Sequence, residues 1–290
     1  PDMGDLTVLP EPPSLPREFA RALLTFGRDG VDGEIPGTLV QTTTTVDRDR
    51  LMDHQRLCGF KVNDTLPPTY PHLLGFPLQV HLMGSADFPL PMLGMVHVSN
   101  EITVHRELHV DDELTLQVGA EAMRPHAKGV TVDLVAAVTV AGELAWESRS
   151  TYLHRCTPPS GTEDPDHVEA AMPEPPEVPA GPAAAVWKLP ADLGRRYAGV
   201  AGDINPIHLH PWTAKAMGFP RAIAHGMWTY SRTLAALGAD GIGTSRVWFR
   251  KPVLLPGRVA LNVAEDHRTA ALASPKDPDR IHLVLTHQAL

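Results

Sequence analysis

The stretch "GMWTYSRTLAALGADGIGTSRVWFR", Gly226 to Arg250, decides the fold because it places a helix directly before a strand. The apolar residues of that helix recur at the spacing of one helical face: Met227, Tyr230, Leu234 and Leu237. Gly238 stands where a helix commonly ends in the left-handed conformation. The following runs "SRVWFR", "RVALNV" and "RIHLVLTHQ" alternate apolar and polar residues, which is typical of half-buried antiparallel strands. The C-terminal part is therefore predicted as one helix followed by a meander of strands.

The N-terminal part shows the same order of elements. The apolar segment "PHLLGFPLQVHLM", Pro71 to Met83, precedes strand-like runs that include "VHVSNEITV", "ELTLQV", "VTVDLVAAVTV" and "ELAWESRSTYLHR". Moreover, "ITVHRELHVDDELTLQV" (Ile102 to Val118) aligns with "VWFRKPVLLPGRVALNV" (Val247 to Val263) with small shifts. A helix followed by a meander, twice, predicts an α+β fold in which an antiparallel sheet wraps a central helix in each half.

A proline-rich segment separates the halves. From Cys156 to Pro182 the sequence reads "CTPPSGTEDPDHVEAAMPEPPEVPAGP", without a large aromatic residue. Proline cannot donate to a strand ladder, and the low apolar content gives no core. We therefore predict an N-terminal domain at 1–155, a linker at 156–184 and a C-terminal domain at 185–290.

Composition excludes several classes of protein. The net charge of -9 argues against a nucleic-acid binder, which needs a basic face. The two cysteines, Cys58 and Cys156, form no CxxC pair, which favours reduced thiols in a cytoplasmic protein. No apolar run approaches the roughly 20 residues of a membrane helix, and the first residues lack the basic and apolar regions of a signal peptide. A cytoplasmic protein that binds neither nucleic acid nor membrane is expected.

The stretch "AGDINPIHLH", Ala201 to His210, concentrates polar groups in an otherwise apolar region. Asp and Asn favour turns and helix caps, so one interpretation is purely structural. A metal site formed by Asp203, His208 and His210 is a less favoured alternative, because no further ligand cluster is evident. The functional interpretation pairs Asp203 with His208 for acid/base work. The N–H of Gly226, at a helix start, would then stabilise an oxyanion.

A longer match makes the functional interpretation specific. The stretch "YAGVAGDINPIHLHPWTAKAMGFPRAIAHGMWTY", Tyr197 to Tyr230, resembles the hydratase-2 motif of MaoC-like proteins, approximately YAxxSGDxNPIHxxxxxAxxxGFxxxIAHGM. These are (R)-specific enoyl-CoA hydratases, also called (R)-3-hydroxyacyl-thioester dehydratases. One departure is that Ala201 stands where the family usually has Ser, which removes a hydroxyl but no acid/base residue.

The resemblance implies a double hot-dog fold and a set of roles. Asp203 and His208 would be the catalytic pair, the backbone N–H of Gly226 would bind the thioester carbonyl, and Asn205 would support the site. His225 is expected to be structural. No metal or other cofactor is implied, because CoA or acyl carrier protein is part of the substrate. A monomer or a homodimer of double hot-dogs is expected.

The phosphates of the carrier require positive charge. The candidates lie near the second strand of the C-terminal half, Arg246, Arg250 and Lys251, and Lys128 is a further candidate. An ordinary solvated strand edge is the alternative. Two other functions are alternatives: a hot-dog acyl-thioesterase and a non-catalytic acyl-thioester binding protein. The intact Asp203, Asn205 and His208 pattern favours the hydratase.

The N-terminal half lacks the D-x-N-x-x-H pattern. Before its apolar helix it contains Asp53 and His54, but these are adjacent and no Asn-Pro turn follows them. We therefore expect the N-terminal half to be non-catalytic and to wall the acyl tunnel. A second site with Asp64 or His72 is the disfavoured alternative.

Overall fold

The alternating apolar runs form strands and the continuous apolar segment forms a helix in the computed structural model of the chain. The structure describes residues 5–22, 25, 33–92, 94–157 and 173–289. The elements are, in chain order, β1 (Leu6–Val8), α1 (Leu15–Ala22), β2 (Leu39–Thr44), α2 (Arg48–Cys58), α3 (Tyr70–Met83), β3 (Val96–Val104), β4 (Leu114–His126), β5 (Gly129–Val140), β6 (Glu143–Arg155), β7 (Ala185–Leu189), α4 (Leu193–Ala201), α5 (Pro206–Leu209), α6 (Pro211–Ala216), α7 (Gly226–Leu237), β8 (Gly243–Phe249), β9 (Gly257–Val263), β10 (Thr269–Ser274) and β11 (Asp277–Ala289).

The chain divides into two units whose residues are interleaved in sequence. The first unit draws on residues 1–46, 71–100 and 111–174, and the second on residues 47–70, 101–110 and 175–290. The predicted boundaries at 155 and 184 describe a duplication rather than these units, and they stay a prediction. Most of the predicted linker, residues 158–172, lies outside the described residues.

The first unit is a sheet with α3 as its apolar helix. Its strand order is β1-β2-β4-β5-β6-β3. The pairs β2–β4, β4–β5 and β5–β6 are antiparallel, whereas β1 runs parallel to β2. Most α3 residues are buried, as expected for a helix that is apolar around its whole circumference. A Cβ at Gly75 of α3 would lie 3.8 Å from Val118 of β4, so this helix packs on the sheet.

The second unit repeats the arrangement around α7. Its strands follow the order β8-β11-β10-β9-β7, and each of these pairs is antiparallel. Helix α7 packs against β10 and β11. The Tyr230 hydroxyl, fully buried on α7, donates to the Ser245 backbone oxygen at 3.1 Å and joins α7 to β8. Strands β9, β10 and β11 form a meander, but β8 pairs with β11 and not with β9, so the prediction of one continuous meander is wrong. The helix held by an antiparallel sheet agrees with the predicted α+β class.

Several predicted elements are confirmed, and others were missed for identifiable reasons. The predicted runs at 96–104 and 143–155 coincide with β3 and β6, and α7 ends at Gly238 with a φ of 67°. Strand β10, "TAALAS", was not predicted because its small apolar residues do not alternate, and four of its six residues are buried. Strand β7 was missed because it follows directly on the proline-rich segment.

None of the helices within the described ranges is long and apolar enough to cross a membrane. The most apolar one, α3, has 14 residues, whereas a bilayer requires roughly 20.

Candidate active site

The polar cluster begins where α4 ends. Gly202 ends this helix in the left-handed conformation with a φ of 78°, and its N–H donates to the Ala198 carbonyl. Such a turn reverses the chain sharply and is adopted readily by glycine, which has no Cβ. Asp203 therefore leaves the helix end at a defined angle, with about a quarter of its side chain exposed.

A one-turn helix, α5, carries His208. Asn205 is its N-cap and accepts from the Ile207 N–H at 3.3 Å, while the Asp203 carboxylate accepts from the Asn205 N–H at 3.1 Å. Pro206 occupies a first-turn position of α5, where its missing N–H costs nothing. Pro206 therefore begins this new turn of helix. The capping role foreseen for Asp and Asn is thus present. The acid/base role of Asp203 and His208 stays a prediction.

The contact between α4 and α5 fixes the position of His208. A Cβ on Gly194 of α4 would lie 2.0 Å from the His208 carbonyl oxygen. Only glycine permits this close approach of the two helices. The His208 side chain is 8% exposed, so its surroundings rather than bulk water set its protonation.

The His208 ring has a defined tautomer. Its Nδ1 lies 2.9 Å from the Ile223 backbone oxygen, and because a carbonyl only accepts, Nδ1 carries the proton. In the neutral ring, Nε2 is therefore a proton acceptor. Burial lowers the pKa of His208, and the neighbouring Asp203 carboxylate opposes that shift. His208 is thus neutral near pH 7 and able to accept a proton.

His225 is more closely involved than the sequence suggested. Its ring stacks on His208 with centroids 3.7 Å apart and an interplanar angle of 25°. Its Nε2 donates to the Asp203 backbone oxygen at 3.0 Å and lies 3.7 Å from the Asp203 carboxylate. Burial, followed by the neighbouring His208, lowers the pKa of His225. The neutral His225 ring therefore contacts both Asp203 and His208 and fixes their positions relative to each other.

Ligating atoms of Asp203, His208 and His225 all lie within 4.8 Å of one another. The third member of this cluster is His225 and not His210, which is exposed and caps α6 by accepting from the Trp212 N–H. The alternative prediction of a metal site therefore named the wrong histidine as its third ligand. Two imidazole nitrogens of the cluster already donate to carbonyls. The expectation of a metal-free reaction stays a prediction.

Gly226 is the first residue of α7, as predicted. Its helix has no side-chain cap, because the N-cap residue His225 makes no capping hydrogen bond. The first N–H groups of a helix lack partners within the helix and lie at its positive end. A Cβ at Gly226 would come within 3.2 Å of the Phe249 ring, so the position suits glycine. The geometry is compatible with an oxyanion donor.

The predicted carrier-binding residues lie on the end of β8 and just after it. Arg246 forms an ion pair with Glu101. Arg250 and Lys251 are exposed, and their backbone N–H groups donate to the His282 carbonyl at 2.8 and 3.3 Å. The charge of Arg246 is therefore already matched by a carboxylate, and a role in phosphate binding for these three residues stays a prediction.

Arg50 of α2 contacts the end of the helix that precedes the candidate site, a contact that the sequence did not predict. Its Nε donates to the Val200 carbonyl at 2.7 Å and its Nη2 to the Ala201 carbonyl at 3.3 Å. Those carbonyls are at the C-terminal end of α4, where a cation complements the helix dipole. The two partners are 150 residues apart in sequence, and no local pattern signals such a pairing.

The fold and the cluster define an α+β hot-dog protein with a buried histidine beside a carboxylate. Comparison with known proteins agrees. Residues 174–271 match the family described as "MaoC like domain". A curated relative, 3-hydroxyacyl-thioester dehydratase X of Mycobacterium tuberculosis, is 39% identical over 224 residues, which cover 76% of this chain and 77% of the relative.

Solved structures support the same assignment. HtdX of Mycobacterium tuberculosis superimposes with a TM-score of 0.73 and 34% identity, covering 86% of this chain and all of that chain. A Mycobacterium tuberculosis protein described as having a double hotdog fold gives a TM-score of 0.53 at 15% identity, covering 86% of this chain and 93% of that chain. The second likeness concerns the fold alone. This chain belongs to the MaoC-like dehydratase family.

Proposed function

We propose that this chain catalyses the reversible hydration of trans-2-enoyl thioesters to (R)-3-hydroxyacyl thioesters, carried on CoA or on acyl carrier protein. Family membership supports the reaction class, because the curated relative is named a 3-hydroxyacyl-thioester dehydratase. The observation that carries the proposal is the His208 tautomer. The hydrogen bond from Nδ1 to the Ile223 carbonyl leaves Nε2 as a proton acceptor, and a ring nitrogen of His208 lies within 4.8 Å of an Asp203 carboxylate oxygen.

In the hydration direction, Asp203 and His208 hold a water molecule against C3 of the enoyl chain. The water oxygen forms the new bond to C3 while the Nε2 atom of His208 takes a proton. The imidazolium that results is stabilised by the Asp203 carboxylate and the Ile223 carbonyl, the same groups that oppose the downward pKa shift of His208. General acid/base catalysis of this kind contributes on the order of 100-fold to 10,000-fold in rate.

The Gly226 N–H binds the thioester carbonyl oxygen. Electrons that leave the C2–C3 double bond accumulate on this oxygen, so a fixed donor lowers the energy of the enolate-like transition state. The proton taken from water returns to C2 and collapses the enolate. The sum is the addition of one water molecule, and no oxidant, reductant or other co-reactant is consumed.

The proposal also covers the compartment, the oligomeric state and the half of the chain that carries the chemistry. We infer a cytoplasmic enzyme that acts as a monomer or homodimer, with the chemistry confined to the C-terminal half. The thiol state of Cys58 and Cys156 supports the reducing compartment. Acyl-thioester hydrolysis and non-catalytic binding are the alternatives.

The test is hydration of crotonyl-CoA and of longer trans-2-enoyl-CoA thioesters, followed by loss of the enoyl-thioester absorbance. Chiral analysis of the product is expected to give the (R)-3-hydroxyacyl thioester. Release of free thiol without hydration would instead identify a thioesterase. Absence of turnover on enoyl thioesters of CoA, pantetheine and acyl carrier protein would contradict the proposed function.

A further inference from the structure

The second unit contains a basic cavity of about 460 Å³, bounded by the loop between β8 and β9 and the turn between β10 and β11. We call it the basic cavity and define it by its four cations: Arg221, Arg258, Lys276 and Arg280. Its size lies within the range of small-ligand pockets, roughly 300–1,000 Å³.

The charge of this cavity is local and unbalanced. The four cations come from separate places: the segment before α7, β9, the β10–β11 turn and β11. None of the described residues that line the cavity is an Asp or a Glu. All four side chains belong to exposed residues, and within the described ranges no ion pair involves them. On a chain with a net charge of -9, four cations that line one cavity indicate an anionic ligand.

Backbone hydrogen bonds join the cavity wall to the candidate active site. The Leu255 N–H donates to the Ala222 carbonyl at 2.8 Å, and the Ala224 N–H donates to the Val253 carbonyl at 2.9 Å. Val253 lines the cavity and Leu255 adjoins it. Their partners, Ala222 and Ala224, belong to the segment that continues through His225 to Gly226. Gly226 lies five positions after Arg221, so their Cα atoms are at most about 17 Å apart.

We propose that the basic cavity binds the nucleotide end of CoA, the adenosine 3′-phosphate 5′-diphosphate, while the pantetheine arm reaches Gly226. This inference rests on the proposed function, and it assigns CoA rather than acyl carrier protein as the carrier. Arginine is suited to phosphate because its planar guanidinium donates two hydrogen bonds at once. The nucleotide end of CoA carries three phosphate groups, whereas the arm of a carrier protein carries one phosphodiester. Four cations match the former.

The cavity also offers an apolar surface for the base. Leu254, Pro256 and Pro275 line it together with the cations. Ligand sites that combine apolar walls with a few charged groups fix both the affinity and the orientation of the ligand. Arg246, the first carrier candidate from the sequence, is by contrast matched by Glu101. The four cavity residues are therefore better placed to meet the phosphates.

The binding arm of the test uses titration calorimetry of the full chain with CoA and with dephospho-CoA, which lacks the 3′-phosphate. Loss of one charged contact to phosphate is expected to weaken binding roughly tenfold. Wild-type protein should therefore bind dephospho-CoA more weakly than CoA by this factor. Arg258→Ala and Arg280→Ala should bind CoA more weakly than wild type by the same factor. Arg268→Ala is the matched control, because Arg268 is exposed in the same unit and does not line the cavity. Equal CoA affinity in Arg258→Ala, Arg280→Ala and this control would overturn the proposal.

The turnover arm compares crotonyl thioesters of CoA, pantetheine and acyl carrier protein. We expect kcat/KM to be highest for the CoA thioester by about tenfold or more, and Arg258→Ala to remove most of this advantage through KM. Preference for the carrier protein would overturn the cavity assignment while leaving the proposed function intact. Absence of turnover on all three substrates would instead remove the proposed function, and the calorimetry would then decide the cavity separately.

Discussion

Helices α2 and α4 end alike but lead to different chemistry. Each ends at a left-handed glycine, Gly59 with a φ of 83° and Gly202 with a φ of 78°. One, three and six residues after Gly202 the chain has Asp203, Asn205 and His208. At the same distances after Gly59 it has instead three residues without a carboxylate or an imidazole: Phe60, Val62 and Thr65.

The histidines near the two turns show what this difference means. His54 of α2 is fully buried and packs against the rings of Phe60 and Tyr70, with centroids 6.0 and 5.3 Å away. Burial lowers its pKa to about 3, so it remains neutral and inert. His208 has a carbonyl on Nδ1, and a ring nitrogen of His208 lies within 4.8 Å of the Asp203 carboxylate. A buried histidine is a candidate base only when polar partners fix which ring nitrogen carries the proton.

The largest expected effect is at His208. His208→Ala removes the proton acceptor and should lower kcat for enoyl-thioester hydration by about 100-fold or more. His54→Phe is the comparison variant from α2, and it should retain wild-type kcat in the same assay. Circular dichroism checks that both variants are folded. Comparable losses of kcat in the two folded variants would contradict the distinction between the two turns.

Acid should destabilise the protein through the buried neutral histidines. The pKa of an imidazole in the unfolded chain is about 6.5, whereas that of His54 is about 3 in the folded state. Below pH 6.5 the unfolded state therefore binds more protons, and stability falls as pH falls towards 3. At pH 5, His54 alone should cost about 2 kcal/mol of the free energy of unfolding. Urea unfolding at pH 7 and pH 5 measures this, and an unchanged midpoint would contradict it.

Arg50 links the two helices, so its removal should affect the site from a distance. Arg50→Ala frees the Val200 and Ala201 carbonyls just before Asp203, and misplacement of a catalytic group reduces rate. We expect kcat to fall about tenfold with little change in KM, because substrate binding is not the function of Arg50.

Arg50→Lys and Arg48→Ala serve as controls for that experiment. Arg50→Lys keeps the charge but not the two-donor geometry, so it should restore part of kcat. Arg48, also on α2, pairs with the exposed Asp64 at 2.6 Å, and its removal should leave kcat unchanged. Equal kcat in Arg50→Ala and Arg48→Ala would show that Arg50 does not position the site.

The smallest expected effect is a gain in stability from His54→Phe. Within the described residues, neither ring nitrogen of His54 has a hydrogen-bond partner. An unsatisfied buried polar group costs about 1–3 kcal/mol, so an apolar ring of similar shape should raise the free energy of unfolding by about 1 kcal/mol. The variant should also lose most of the acid sensitivity expected for His54. A less stable variant would show that the ring nitrogens contribute to folding.

Regular patterns predicted much of the fold and of the site. Period-two alternation predicted β9 and β11, helical spacing and Gly238 predicted α7, and motif spacing selected Asp203, Asn205, His208 and Gly226. Contacts between distant segments were not predictable. The stacking of His225 on His208 and the reach of Arg50 to α4 depend on tertiary packing. The basic cavity was missed for the same reason, because its four cations are scattered from 221 to 280.

We assign the chemistry to the turn after α4 and not to its counterpart after α2. The most direct measurement is kcat for crotonyl-CoA hydration in Asp203→Asn and in Asp53→Asn, two acid-to-amide changes of which the first lies in the turn after α4 and the second within α2. Asp53 is exposed on α2 next to His54. We predict a loss of about 100-fold or more for Asp203→Asn and none for Asp53→Asn. Near-wild-type turnover in Asp203→Asn would contradict the claim.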